Sequence, residues 1–377
     1  MSGPYDKYRR EIEYCTYCPK LCRFSCPVAQ VECSETVTPT GKMTILRQIR
    51  DGVIPLDKDA ASLMYNCSGC LVSRTYCEHE IEVIGAFEAA RHEAVKAGVA
   101  PERVYKYLDT WQKFGNPFNE DLLKKLKGLV PEEYFTRAAP VLIFTGCTVV
   151  HYHPDVLKSM IRVLEALKVK FRILGNEHIC CGYPILTLGH WEAGMEQMKN
   201  IARAISSAET VISPCPTCTS NLRKTYPEMG IEVKPRVLHL SEFLAERISE
   251  FPIERKEPRK VIYHDPCHLG RHLGVYEAPR QILAAILDKP LIEFYENRGH
   301  AACCGGGGGL PVTHPLTARE IAGGKIKSFL ESGADLLCTA CPMCQRALER
   351  SGRDQGIVVR DIAQLIADCF PGDDAKE

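Results

Sequence analysis

The chain has no run of roughly 18 consecutive apolar residues, the length that a bilayer-spanning helix requires. No secretory leader is expected either, since MSGPYDKYRREIEY carries charges where such a segment needs an apolar stretch. Charge of one sign is missing as well, because 47 Lys and Arg balance 47 Asp and Glu. Without a basic field nothing neutralises a phosphate backbone, so nucleic acid is excluded as an expected partner. No GxGxxG loop opens a helix after a strand, and the five-glycine run Gly305–Gly309 follows a Cys pair instead, so no dinucleotide site is expected. A cytosolic protein is the expectation.

What is abundant is cysteine, with 20 in 377 residues. Small secreted disulfide scaffolds carry about 8–10% Cys or more in a short chain, and this chain is both longer and sparser. Clustered, reduced cysteines in a cytosolic protein point to metal or redox chemistry.

The cysteines also expose an internal repeat. VLIFTGC ending at Cys147, the CCG at Cys180-Cys181-Gly182, and SPCPTC ending at Cys218 recur as VIYHDPC ending at Cys267, CCG at Cys303-Cys304-Gly305, and TACPMC ending at Cys344. The displacements are 120, 123 and 126 residues, so order is kept while loop lengths drift. Within each copy, short apolar runs alternate with helical spacing. The first reads as strands at 141–144, 171–174 and 211–212 with helices over 155–167 and 192–207. The second reads as strands at 261–263, 291–294 and 335–337 with helices over 277–287 and 318–330. Such alternation implies a mainly parallel sheet covered by helices, with each Cys group just past a strand, where open α/β sheets form their crevices. The first 137 residues differ, with helical spacing at Met43, Leu46 and Ile49 and at Val104, Leu108 and Trp111. The fold class expected is therefore α+β/α/β: a helical N-terminal domain over 1–137 and two tandem α/β domains over 138–255 and 256–377.

The N-terminal part holds two cysteine runs. Cys15-x2-Cys18-x3-Cys22-x3-Cys26-Pro27 is close to bacterial ferredoxin spacing, with one residue added between the second and third Cys. Cys67-x2-Cys70-x6-Cys77 has Ser73 where that spacing needs its third Cys. By cross-ligation one cluster takes Cys15, Cys18, Cys22 and Cys77, and the other takes Cys26, Cys67, Cys70 and one further ligand. Ser73, the spare Cys33, water, or a three-iron cluster all close that shortfall. Zinc is the other reading of CxxC pairs.

Each repeat supplies five Cys: Cys147, Cys180, Cys181, Cys215 and Cys218, then Cys267, Cys303, Cys304, Cys341 and Cys344. Five thiolates exceed the four of a zinc site or a cubane, and an adjacent pair suits an extended cluster better than one tetrahedral centre. Cys338 and Cys369 are left over, Cys369 as a plain thiol.

The C-x32-CCG-x32-C-x2-C and C-x35-CCG-x35-C-x2-C patterns, behind two ferredoxin-type runs and the intervening PTGKMTILRQIRDG, resemble the heterodisulfide reductases of the D type, in which the ferredoxin-like and catalytic portions are one polypeptide. The resemblance covers almost the whole chain. It implies cubane [4Fe-4S] clusters, one or two with the second a [4Fe-4S] or [3Fe-4S], in a ferredoxin-like domain. It also implies a noncubane [4Fe-4S] cluster on each CCG domain, the pair facing a disulfide or thiol substrate. The activity implied is reduction or formation of that disulfide. The alternative is an electron-transfer protein that relays between a flavoprotein dehydrogenase and a quinone or cytochrome partner. A flavoprotein, or a membrane cytochrome b or quinone-linked protein holding the chain at the membrane, is the implied partner. His178, His264, His268 and His300 flank the cysteines, and His268 is the proton-donor candidate. Arg271 is a structural residue or a holder of an anionic substrate group, and Trp111 and Trp191 read as core.

Overall fold

The computed structural model describes residues 5–20, 22–175 and 179–371. His178 lies outside them. The N-terminal part is helical among these residues, and its helices begin at side chains able to hold their free amides. Thr38 caps Pro39–Arg50 by accepting from Gly41, and Asp57 caps Lys58–Tyr65 by accepting from Ala60. Their apolar faces meet Ile84–Lys96 in a core of Ile12, Met43, Leu46, Met64 and Phe87. The helix Glu102–Phe114 carries Val104 and Trp111 inward and stops at Gly115. Trp191 departs from expectation: it is only partly buried and stacks on His92 with centroids 4.3 Å apart.

Two four-stranded parallel sheets follow. The first has β1 (Val141–Ile143), β2 (Phe171–Ile173), β3 (Thr210–Ser213) and β4 (Arg236–His239) in the order β2-β1-β3-β4. The second has β5 (Val261–His264), β6 (Ile292–Glu293), β7 (Leu336–Thr339) and β8 (Val359–Asp361) in the order β6-β5-β7-β8. The sequence repeat is thus a topological repeat. The central strands β1, β3, β5 and β7 are almost entirely buried, and mostly apolar, because helices cover both sheet faces. Sequence patterning does not find β4 and β8, which are three or four residues long and half polar. Each runs into a helix through a capping box, on His239 in one copy and Asp361 in the other.

The copies pack reciprocally. The helix after β1, Pro154–Ala166, lies on the helix after β8, Ile362–Cys369, and the helix after β5, Glu277–Ile286, lies on the helix after β4, Leu240–Ala245. This is the geometry of an isologous dimer within one chain.

The N-terminal part docks on both copies through buried donors. Arg91, 2% exposed, donates to Met64, Thr187, Gly308 and Cys67 carbonyls, and Tyr65 donates to Leu188 O. The glycine run packs against Cys67, Ser68 and Gly69. A Cβ on Gly308, whose φ is +63°, would lie 2.5 Å from the Cys67 carbonyl oxygen. Gly308→Ala therefore combines a left-handed backbone penalty of about 1–2 kcal/mol with a clash against backbone. Gly324, inside the helix Pro315–Glu331, has nothing within 4 Å of a built Cβ, and Gly324→Ala gains about 0.5–1 kcal/mol. Thermal unfolding is expected to shift down for the first variant and level or up for the second.

Candidate functional site

Both five-Cys sets form at the carboxyl ends of the parallel strands. Cys147 opens the short helix after β1, the CC pair follows β2, and the CPTC turn after β3 places Cys215 and Cys218 with Pro216 at the helix start. In the second copy Cys267, Cys303-Cys304 and Cys341/Cys344 take the same places. Cys147 and Cys180 sulfurs lie 3.3 Å apart, and Cys304 and Cys344 sulfurs 3.2 Å apart. The glycine of each CCG has positive φ, +82° at Gly182 and +76° at Gly305, and a Cβ on Gly305 would lie 2.5 Å from Ala318 O. Gly305 N–H then reaches Cys303 Sγ at 3.3 Å, and Gly306 N–H reaches Cys304 Sγ at 3.4 Å.

Packing sulfurs this densely perturbs them in the same order in both copies. Cys181 is held well below the ordinary thiol value by hydrogen bonds from Cys180 and Cys218. Cys180 is pushed well above it, by burial first and then by Cys147 and Cys181. Cys218 is pushed up by its bonds to Cys181 and Cys215. In the second copy Cys304 is held down by Cys303 and Cys344, while Cys303 and Cys344 are held up. Buried thiols that crowd one another gain most from a metal that takes their protons, and five soft donors around one point suit iron–sulfur ligation. The donor set fits the cluster expected there. His264, Cys304 and Cys344 bring donor atoms within 4.8 Å of one another, and both His264 ring nitrogens lack a hydrogen-bond partner.

The N-terminal cysteines sort into two groups. Burial, then the neighbouring Cys22, Cys77 and Cys18, pushes Cys15 up to about 12. Burial pushes Cys26 to about 11, with Cys67 and Cys70 as its sulfur neighbours and the Lys42 ammonium opposing them. Ser73 lines the same cavity as Cys26, Cys67 and Cys70. Cys33 does not: it is exposed, and its thiol points to Gln30 O at 3.6 Å. Cys338 is buried within β7 and Cys369 within the last helix, away from the sets.

One contact joins the N-terminal cysteines to the repeats. Cys70 is held at about 5, first by a hydrogen bond from Cys303 and also by the Arg271 guanidinium. Cys303 Sγ lies 3.5 Å from Ser68 Oγ. Arg271 is buried and donates to the carbonyls of Cys70, Gly299 and Ala301, so it clamps backbone.

Between the repeats lies a cavity of about 400 Å³. Cys147, Cys181, Cys215 and Cys218 form one side, and Gly306–Gly309, Met343 and Arg350 the other. His268 lines it, within electrostatic reach of Cys181 and Cys304, one from each set. Burial pushes its imidazole down to about 4, so it is neutral at pH 7. Its Nδ1 meets Ser220 Oγ at 3.0 Å, its ring stacks on His272 at 4.0 Å, and Nε2 has no partner among the described residues. His300 is exposed against Tyr76, outside the cavity. Sequence reasoning did not single out Arg350, Arg346 or Tyr107. They lie on helices whose spacing signals only amphipathicity.

The cysteine-rich domain family, CCG, matches residues 141–223 and 261–349. The D-type polypeptide of the dihydromethanophenazine:CoB–CoM heterodisulfide reductase of Methanosarcina barkeri is 33% identical over 81% of this chain and 78% of its own length. The B-type polypeptide of the fumarate reductase (CoM/CoB) of Methanothermobacter marburgensis is 30% identical over 93% of this chain and 71% of its own. EtfAB:quinone oxidoreductase of Syntrophomonas wolfei is 24% identical over 82% of this chain and 47% of its own. Among the described residues no helix is long and apolar enough to cross a membrane. Paired CCG domains behind two ferredoxin-type cysteine runs, together with these relatives, make the chain a member of the D-type heterodisulfide reductase-like iron–sulfur proteins, an oxidoreductase component of a redox complex.

Proposed function

We propose that the chain reduces, or in reverse forms, a disulfide held in the cavity between its two CCG domains. Cys147, Cys180, Cys181, Cys215 and Cys218 hold one noncubane cluster in this reading, and Cys267, Cys303, Cys304, Cys341 and Cys344 the other. Cys15, Cys18, Cys22 and Cys77 hold a cubane, and Cys26, Cys67 and Cys70 a further cluster. When bound, the clusters supply one-electron steps, and two electrons with two protons turn a disulfide into two thiols.

The observation that carries this reading is the cavity itself, walled by four cysteines of one set and reached by His268, which neighbours both sets. A pure conduit has no need of a chamber of this size beside its sulfurs. Ser220 Oγ donates its proton to Thr217 O and meets His268 Nδ1 at 3.0 Å, and His268 Nε2, without a partner among the described residues, is the ring nitrogen left to exchange a proton with a ligand in the cavity. The chamber continues past Met343 into a cleft lined by Arg319, Arg346 and Arg350, and Arg346 lies over the Tyr152 ring at 4.4 Å. Guanidinium groups there suit the carboxylate, phosphate or sulfonate of an anionic disulfide. The first cysteine run is rimmed by exposed Tyr14, Tyr17 and Phe24, a surface for a flavoprotein or a quinone- or cytochrome-linked donor. Similarity to the EtfAB:quinone oxidoreductase favours the second reading, relay between such partners without disulfide chemistry.

Two experiments separate the readings. Anaerobically purified protein is expected to carry about sixteen irons with matching acid-labile sulfide, and its EPR spectrum is expected to gain a signal on adding a thiol. An iron count near eight, zinc in place of iron, or no thiol response overturns disulfide chemistry. Arg346→Ala and Arg350→Ala are each expected to raise KM for an anionic disulfide about tenfold, about 1.4 kcal/mol of binding, with kcat within about twofold of the parent. A neutral disulfide serves as the comparison substrate and should not respond.

A further inference from the structure

The cavity that gathers Cys26, Cys67 and Cys70 has three sulfurs for a centre that ordinarily takes four ligands. Its remaining wall is mostly apolar, built by Pro27, Val28, Leu71, Val83, Ile84 and Phe87. Three polar side chains other than the cysteines also reach it: Lys42, Ser68 and Ser73. Two already have partners, Ser68 with Cys70 as well as Cys303. The Lys42 ammonium, 1% exposed, donates to Asn66 O. Ser68 Oγ faces Cys303 Sγ at 3.5 Å. Ser73 is 8% exposed and makes no hydrogen bond among the described residues. Its hydroxyl is therefore free to meet a group held in the cavity that gathers the three thiols.

The backbone is bent to put it there. Leu71 takes φ +59°, a left-handed conformation that a branched side chain rarely adopts, immediately before the single turn Val72–Thr75 that carries Ser73. Other donors are accounted for: Cys77 belongs with Cys15, Cys18 and Cys22, and exposed Cys33 faces Gln30.

We infer that Ser73 Oγ is the fourth ligand of this centre, so that it is a four-iron cluster held by three thiolates and one alkoxide. The inference rests on the reading that Cys26, Cys67 and Cys70 hold a cluster. Ligation forms one iron–oxygen bond and releases the hydroxyl proton to solvent, as each thiol releases its own. An alkoxide is a harder, more basic donor than a thiolate and favours the oxidised iron. The buried Lys42 cation beside Cys26 offsets part of the negative charge gathered there.

The test is Mössbauer and EPR spectroscopy with iron counting on the full chain, purified anaerobically, in parent, Ser73→Ala, Ser73→Cys and Cys67→Ala forms. The parent is expected to contain a four-iron centre that Cys67→Ala removes. Ser73→Ala is expected to lose about one iron per chain and show the signal of a three-iron cluster. Ser73→Cys keeps the iron and moves that centre's reduction potential upward. A three-iron centre already present in the parent overturns the assignment, and so does a Ser73→Ala protein whose iron count, spectrum and potential match the parent. If Cys67→Ala changes nothing, the cluster reading for these cysteines fails along with it. If Cys67→Ala removes the centre while Ser73→Ala leaves it intact, the serine assignment alone fails.

Discussion

The close approach of two backbones, Gly305–Gly309 from the second CCG domain and Cys67–Gly69 from the N-terminal part, is the constraint on which the rest of the molecule depends. A side chain at Gly307 would meet Ser68 O at 2.8 Å and one at Gly308 would meet Cys67 O at 2.5 Å, so glycine alone permits the contact. Through that contact Cys70 comes into hydrogen-bonding reach of Cys303, and an N-terminal cysteine group becomes continuous with one of the five-Cys sets. Arg91 and Arg271, both buried, fix the same junction by donating to carbonyls on either side of it. Neither arginine faces a carboxylate among those partners. Their charge is spread over carbonyl dipoles and nearby sulfurs, an arrangement that favours thiolates at the junction.

The junction also makes the two repeats unequal. They share strand order, the order of their cysteine motifs and capping boxes, yet among the described residues the second has a buried lysine beside its sulfurs. Lys325 is buried over the Phe294 ring, and the nearby Cys304 is among the groups that resist its fall to about 8 under desolvation. His264 follows Tyr263 in β5 where Phe144 follows Ile143 in the first copy, and its ring lies within 4.8 Å of the Cys304 and Cys344 sulfurs. Beside the first set, among the described residues, Gln197, Asn221 and Tyr226 donate to the carbonyls of Cys180 and Cys181. Positive charge near a cluster favours its reduced form. In the reading proposed above, a cluster on the set beside the N-terminal cysteines would be the better electron acceptor of the two.

Much of this is legible along the chain because thiol chemistry is local. The displacement of three cysteine motifs by a nearly constant interval identifies a duplicated domain whatever the loops do, and alternation of apolar runs with helical spacing identifies its parallel sheet. The partition of Cys15, Cys18, Cys22 and Cys77 from Cys26, Cys67 and Cys70 follows from ferredoxin spacing, and the folded chain sets the same sulfurs beside one another. The short strands β4 and β8 are not legible, because three or four residues with a polar end carry too little periodicity. Residue type alone leaves Arg271 a structural residue or a holder of an anion, and the fold shows its Nε and Nη1 given to three carbonyls while Nη2 stays buried without a partner among the described residues. Trp191 reads as core because it is large and apolar, whereas a ring can satisfy most of its surface by stacking on His92 at the rim of a cleft.

By itself, then, the sequence determined where the residues able to hold clusters lie: seventeen cysteines in spaced sets, a glycine after each CC pair, and a serine where a cysteine would be regular. Those are properties of residue type and spacing, which survive without coordinates. Tertiary structure alone decided which sets touch, which repeat lines the cavity, and whether Ser73 or Cys33 stands beside Cys26, Cys67 and Cys70. The reason is that these are distances between segments far apart in the chain. They are set by the reciprocal packing of four helices between the repeats and by a backbone contact that only missing side chains allow.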